Sequence, residues 1–208
     1  MIVFRLLSLL LRYPEDEVLA AREEILDAAH ELPESPTKQA ILHFLAYWYR
    51  ESDYALQQRY TATFDFNRRG SLYLTYYRHG DMRSRGEALL EVKSVYERAG
   101  YRLDTTELPD YLPLVLEFTA EEPEAGLELL AGYRGTVEVI RRSLRHDRSP
   151  YALLVEALAS FLPKLDAAAE EEMRRLIVQG PPQETVGLEP YGSEPPGKQF
   201  VAFGGGRR

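Results

Sequence analysis

The sequence predicts an all-α fold, and three observations carry the prediction. Leu, Ala, Glu and Arg are abundant while β-branched residues are scarce, a composition that favours helix over strand. Apolar residues recur at spacings of three and four in one run after another, the period of a helix with one buried side. No stretch alternates with period two for long enough to need a sheet. With 208 residues the chain has the length of one sizeable domain, so a single-domain helical bundle over residues 1–179 is expected.

The first helix carries Leu6, Leu9 and Leu10 on one face and stops at Arg12, Tyr13 and Pro14, because a residue before proline leaves helical geometry. The second is expected from about Glu15 to His30, with acidic residues at its start and Val18, Leu19, Ile25 and Leu26 inside. Ser35 followed by Pro36 reads as an N-cap with proline in the first turn, opening a helix through Ile41, Leu42, Leu45, Trp48 and Tyr49. Ser52 or Asp53 caps the next, which carries Tyr54, Leu56, Tyr60 and Phe64. Asn67 and Gly70 mark a connection. A strong helix follows over residues 85–98, with Leu89, Leu90, Val92, Val95 and Tyr96, and Gly100 is its left-handed cap. Asp110 is placed to cap a helix bearing Leu114, Val115, Leu116 and Phe118. Further helical stretches are expected roughly over 124–132, 133–146, 150–162 and 164–178.

From Gly180 onward seven glycines and five prolines fall in 29 residues with no sustained apolar period, so residues 180–208 are expected to form a flexible tail. Its "KQFVAFGGG" is an apolar island that could dock on a groove of this chain or another.

Composition narrows the function. The absence of cysteine excludes disulfides, thiolate metal sites and thiol nucleophiles, and fits a reducing cytoplasm. A net charge of −8 argues against nucleic acid as the main partner, which needs a concentrated basic face. The opening "MIVFRLLSLLLRYPEDE" is apolar, but Arg5 and Arg12 bracket a run too short to span a bilayer, so a cytoplasmic protein without membrane insertion is expected. The four histidines, His30, His43, His79 and His146, are scattered without a close-spaced pair, and no metal site is expected. The acidic runs at Glu23 and Glu24 and at 170–172 read as solvated helix faces. No glycine-rich phosphate loop is present.

One stretch is harder to dismiss: "SLYLTYYRHGDMRSRGEALLE", residues 71–91. His79, Asp81, Arg83 and Arg85 together could form a small anion or peptide site, since guanidinium groups grip carboxylates and carbonyls while Asp81 caps the helix. Equally, Asp81 only caps, the arginines pair with surface acids, and His79 closes a turn. The apolar half, Leu72, Tyr73, Leu74, Tyr76 and Tyr77, is either core or the lining of a groove that holds a peptide and still faces water. A small helical hydrolase using His79 and Asp81 as an acid–base pair is the competing reading.

Three blocks carry a family resemblance: "LLSLLLRYPEDEVL", "YTATFDFNRRGSLYLTYYRHGDMRSRGEALLEVKSVYERAGY" and "ELPDYLPLVLEF". Together they resemble the nitrate reductase delta-subunit family, assembly chaperones of the redox-enzyme maturation group, over about residues 4–165. The matching positions are Tyr60, Phe64 and Asp65; Ser71, Leu72 and Leu74; His79 and Gly80; Arg83, Arg85 and Gly86; and Glu107, Leu108, Pro109, Asp110, Leu112, Pro113 and Glu117. Tyr111 departs from the pattern, since related chains often carry histidine there.

The resemblance implies an all-helical protein without turnover and without a permanently held cofactor. It implies binding of the apo catalytic subunit of respiratory nitrate reductase, chiefly its amino-terminal region, so that the molybdenum cofactor is inserted before membrane attachment. The alternative client is another molybdenum oxidoreductase of the selenate, chlorate or perchlorate reductase type. Residues 71–85 are then expected to line a recognition surface with Tyr60, Phe64, Leu72, Tyr73, Tyr76, His79, Asp81, Arg83 and Arg85. Glu107, Asp110 and Glu117 would be its acidic side. A monomer is the default expectation, with a dimer open because proteins of this group can exchange segments.

Overall fold

Leu6, Leu7 and Leu10 lie on the buried side of α1 (Ile2–Leu10), and what covers them sets the architecture. The structure is a computed structural model that describes residues 1–67, 70–80 and 83–179. Among the described residues the chain forms twelve α-helices and one π-helical turn, with an isolated β-bridge and no strand, so the fold is all-α as expected. After α1 come α2 (Asp16–Ala20), α3 (Arg22–His30), α4 (Pro36–Trp48) and α5 (Asp53–Tyr60), which runs on into the π-turn Thr61–Asp65. Short α6 (Tyr76–His79) and long α7 (Ser84–Arg98) precede α8 (Leu112–Glu121), α9 (Pro123–Gly132), α10 (Arg134–His146), α11 (Ala152–Ala159) and α12 (Ala167–Gln179).

The main pairings join early to late elements: α1 lies along α8 and α4 along α11, while α10 packs on both α11 and α12. Phe4, Leu7 and Leu11 are fully buried, as are Leu112, Val115 and Leu116, and each such side chain contributes roughly 2 kcal/mol of apolar transfer. The Ser8 hydroxyl donates to the Pro113 carbonyl at 2.7 Å, tying α1 to α8. Phe64 of the π-turn sits between Tyr60 and Tyr151, with ring centroids 4.8 Å away in each case, and Phe44 lies 5.1 Å from Tyr151. These aromatic rings bridge α4, α5 and the start of α11.

Local signals act as read at three helix ends. Ser35 accepts from the Lys38 amide and Ser52 from the Ala55 amide, each satisfying a donor that the helix start leaves free. Gly100, at φ 86°, turns the chain after α7. The same turn closes α10 with Arg148 at φ 51°, a conformation that costs a side-chain-bearing residue about 1 kcal/mol against glycine.

Elsewhere the structure departs from the expectation. The helix foreseen over 15–30 breaks at Ala21. Leu19 and Ile25 are both buried, yet six residues on a straight helix place them about 120° apart, so the bend lets both reach the core. The π-turn after α5 was not foreseen either. Gly70 returns against it so closely that a Cβ would meet the Thr63 carbonyl oxygen. Leu90, expected on the apolar face of α7, is 67% exposed. Residues 180–208, expected as a tail, lie outside the described residues, as does Asp81. No helix among the described residues is long and apolar enough to cross a membrane.

Candidate recognition site

Residues 71–75 run against residues 110–112. The Leu74 amide donates to the Asp110 carbonyl at 3.1 Å and the Leu112 amide to the Leu72 carbonyl at 2.8 Å, which makes Tyr73 and Tyr111 an antiparallel bridge. Alternation along this segment buries Leu72 and Leu74 and leaves Tyr73 half-buried at the surface. Its ring lies 5.2 Å from that of Tyr111.

Beneath this ledge sits Asp110, with no exposed surface. Its Oδ2 accepts from the Thr75 hydroxyl at 2.6 Å and from the Thr75 amide at 2.9 Å, and Arg85 Nη2 lies 4.0 Å away. A buried carboxylate persists where donors and a cation answer it, so these contacts lock the segment to the start of α7. The cap foreseen for Asp110 is therefore not made: Tyr111 is the N-cap residue of α8, without a side-chain bond. Arg85 donates from Nε to Thr75 Oγ1 at 3.3 Å, and its guanidinium carbon lies 5.7 Å from the ring centre of Tyr73 and 5.6 Å from that of Tyr76. A planar cation held by two aromatic rings fixes the tilt of both.

The rim is set by phenols. Tyr73 donates to Glu107 Oε2 at 3.1 Å; burial, then the Glu107 charge, pushes this phenol above its ordinary pKa. Tyr60 donates to the Leu11 carbonyl at 3.1 Å and lies 2.9 Å from the Tyr111 hydroxyl. With its own proton given to Leu11, Tyr60 receives one from Tyr111. Burial first, and the neighbouring Tyr111 second, push the Tyr60 phenol well up. The Tyr111 phenol thus joins the ledge to the aromatic core.

The expected site residues divide accordingly. Tyr73, Tyr76, Arg85 and Glu107 gather at the surface around Asp110. Tyr60, Phe64 and Leu72 are buried below and support it. His79 Nδ1 lies 3.1 Å from Ser84 Oγ, closing the turn between α6 and α7. Arg83 is exposed and makes no ion pair among the described residues. Glu117 stands apart, paired with Arg12 at 2.7 Å. Asp81 lies outside the described residues. Among the described residues no group of three His, Asp or Glu is placed to hold a metal ion.

Sequence reasoning missed Thr75 and Arg78. Thr75 is fully buried in an apolar run, and a polar residue there needs a partner, which was the available signal. Arg78 bonds Glu172 of α12 at 3.0 Å and the Gly132 carbonyl at 2.6 Å, contacts too distant in sequence to be anticipated.

Past Tyr111 the surface falls into a groove of about 540 Å³ between α1, the α2–α3 elbow and the chain before α8. Leu9, Val18, Ile25 and Leu114 give it apolar walls, and Glu15, Glu17 and Glu107 give it negative charge. Its Arg12 is answered by Glu117. The arrangement can hold an extended or helical peptide; it offers no nucleophile poised beside a base.

Comparison with known proteins returns the nitrate reductase delta subunit family model over residues 30–165. NarJ of Escherichia coli (strain K12), named a nitrate reductase molybdenum cofactor assembly chaperone, is 31% identical over 76% of this chain and 68% of its own length. A Bacillus subtilis (strain 168) chain carrying the same NarJ designation is 36% identical over 79% of this chain and 90% of its own. A Mycobacterium tuberculosis nitrate reductase-like protein, NarX, is 36% identical over 76% of this chain but only 24% of itself. Among solved structures, a candidate redox enzyme maturation protein of Archaeoglobus fulgidus shares the fold, with a TM-score of 0.57 and 23% identity over 76% of this chain and 90% of that one.

Proposed function

Because the chain belongs to the nitrate reductase delta subunit family, we propose that it is an assembly chaperone of a respiratory nitrate reductase. It binds the apo catalytic subunit in the cytoplasm, chiefly through that subunit's amino-terminal segment, so that the molybdenum cofactor is inserted before the complex reaches the membrane. It acts as a monomer, without turnover and without a resident cofactor.

The observation that supports this reading is the ledge itself. Tyr73 and Tyr76 present large amphipathic rings, held by Arg85, beside an apolar groove edged with carboxylates. Such a surface fits a helical segment with an apolar stripe and basic flanks: the stripe fills the groove and the rim charges set its direction. Arg83, Tyr76 and Glu107 are the contacts we assign to the client. Tyr60, Phe64, Leu72 and Asp110 hold them in place from below.

Calorimetric titration with a synthetic peptide from the amino terminus of the catalytic subunit tests the proposal. Saturable one-to-one binding is expected, weakened about tenfold by Tyr76→Ala and by Arg83→Glu. Unchanged affinity in both variants would move the site elsewhere. No binding to the peptide or to the apo subunit would point to a different molybdenum oxidoreductase as client.

A further inference from the structure

In a chain of net charge −8, the end of α10 is basic. Arg141, Arg142, Arg145, His146 and Arg148 fall within eight residues. Glu138 answers Arg141 and Arg142, and Glu156 answers Arg145. His146 and Arg148 are exposed and make no ion pair among the described residues. Arg148 holds the left-handed position that α7 gives to Gly100, so a strained backbone here carries a guanidinium where glycine would carry none.

Against this basic end lies a groove of about 450 Å³. Tyr77, Val139, Leu176 and Ile177 form its apolar wall, and Arg142, His146 and Asp147 also line it, the Asp147 carboxylate accepting from the Asn67 side-chain amide at 3.0 Å. Ile177 and Val178, in the last turn of α12, are 40% and 82% exposed. Nothing among the described residues covers them.

We propose that residues 184–194 of this same chain occupy the groove as a strap across α10 and α12. Charge is the first reason: the segment carries Glu184, Glu189 and Glu194, and no lysine or arginine occurs between Gly180 and Gly197. Val186, Leu188 and Tyr191 lie among those glutamates and match the apolar wall. Reach is the third reason. The segment starts five residues beyond Gln179, on the helix that forms the wall, and five extended residues already span about 17 Å. Pro181, Pro182 and Pro190 restrict the free chain, so docking sacrifices less conformational freedom. The apolar island at 200–203 is the poorer occupant, because Lys198, Arg207 and Arg208 flank it with the same charge as the rim.

The chain has no cysteine, so one nitroxide can be placed on Ser193→Cys without a competing thiol. Full-length labelled protein at low salt should broaden the amide resonances of residues 142–147 and 176–178, with the broadening relieved as ionic strength rises. Arg145→Glu combined with Arg148→Glu should lower the docked-to-free ratio about tenfold, as two exposed pairs change from attraction to repulsion. Adding Glu189→Arg and Glu194→Arg to that variant should restore it. Absence of broadening on α10 and α12, or broadening indifferent to both charge reversals, overturns the proposal. So does equal broadening when isotope-labelled chains without the nitroxide are mixed with unlabelled chains that carry it, since the strap would then come from a second copy.

Discussion

Replacing Asp110 tests whether the recognition ledge is held by one buried carboxylate. In Asp110→Ala the Thr75 amide and hydroxyl both lose their acceptor, and a stranded buried donor costs about 1–3 kcal/mol. Arg85 loses its contact with this carboxylate as well, so the total should reach about 3–5 kcal/mol. Asp110→Asn keeps an oxygen in place and loses only the charge. Charged hydrogen bonds being about twice as strong as neutral ones, this variant should lose about 1–2 kcal/mol. For a chain of this size these figures correspond to melting-temperature drops of about 8–15 °C and about 3–6 °C. Urea unfolding gives the global values, and amide exchange gives the local one: Thr75 should exchange much faster, whereas Leu74, bonded to the Asp110 backbone, should change less. Glu117→Ala, which breaks an exposed pair with Arg12, is the control and should cost under about 1 kcal/mol. If Asp110→Ala costs no more than this control, or if Asp110→Asn and Thr75→Val add without coupling, the carboxylate is not the lock.

Glu138 should govern acid stability. Burial opposes its ionisation, but hydrogen bonds from Arg141 and Arg142 outweigh that and hold it at about 2, below the ordinary 4.5. A depressed carboxylate contributes stability above its unfolded pKa and loses it as pH falls toward the folded value. The advantage over Glu138→Gln, about 3 kcal/mol at neutral pH, should therefore shrink between about pH 5 and pH 2. A gap independent of pH in urea titrations would contradict this. Arg148→Gly should raise stability by about 1 kcal/mol by removing strain at φ 51°, read as a shifted urea midpoint with unchanged slope. Gly126→Ala should cost about 2–3 kcal/mol in the same assay, because the added methyl would stand 2.6 Å from Thr119 Cα where α9 meets α8.

Features decided within a few residues were readable from the sequence. Ser35, Ser52 and Gly100 act at helix ends through bonds to backbone three or four positions away, and their residue types announce the geometry. Asp110 was misread as a cap because the same carboxylate suits either role; its real partner, Thr75, is 35 residues away. The elbow at Ala21 has no local signal at all. It follows from two burial demands on one helix, which only the packed core imposes. Aromatic and leucine patterns picked out Tyr60, Phe64 and Leu72 as important, but periodicity cannot separate a residue that forms a surface from one that supports it. Burial makes that separation here.

The closure between residues 71–75 and 110–112 has a further consequence. Two backbone bonds and the Asp110 carboxylate pinch off the stretch of chain 76–109, which contains α6 and α7. Within it α7 buries only Ala88, Val92 and Tyr96, while the seams of α1 with α8 and α4 with α11 lie outside it. The excursion is thus a clasp, fastened at its base by Asp110 and along its length where Arg78 reaches Glu172 of α12 and Tyr96 packs on Phe118 of α8. Its opening can proceed as one cooperative event while the rest of the molecule stays shut. How long the ledge persists is then set by the strength of these fastenings, and a stabilising change in the main core remote from them, as between α4 and α11, would leave that lifetime untouched.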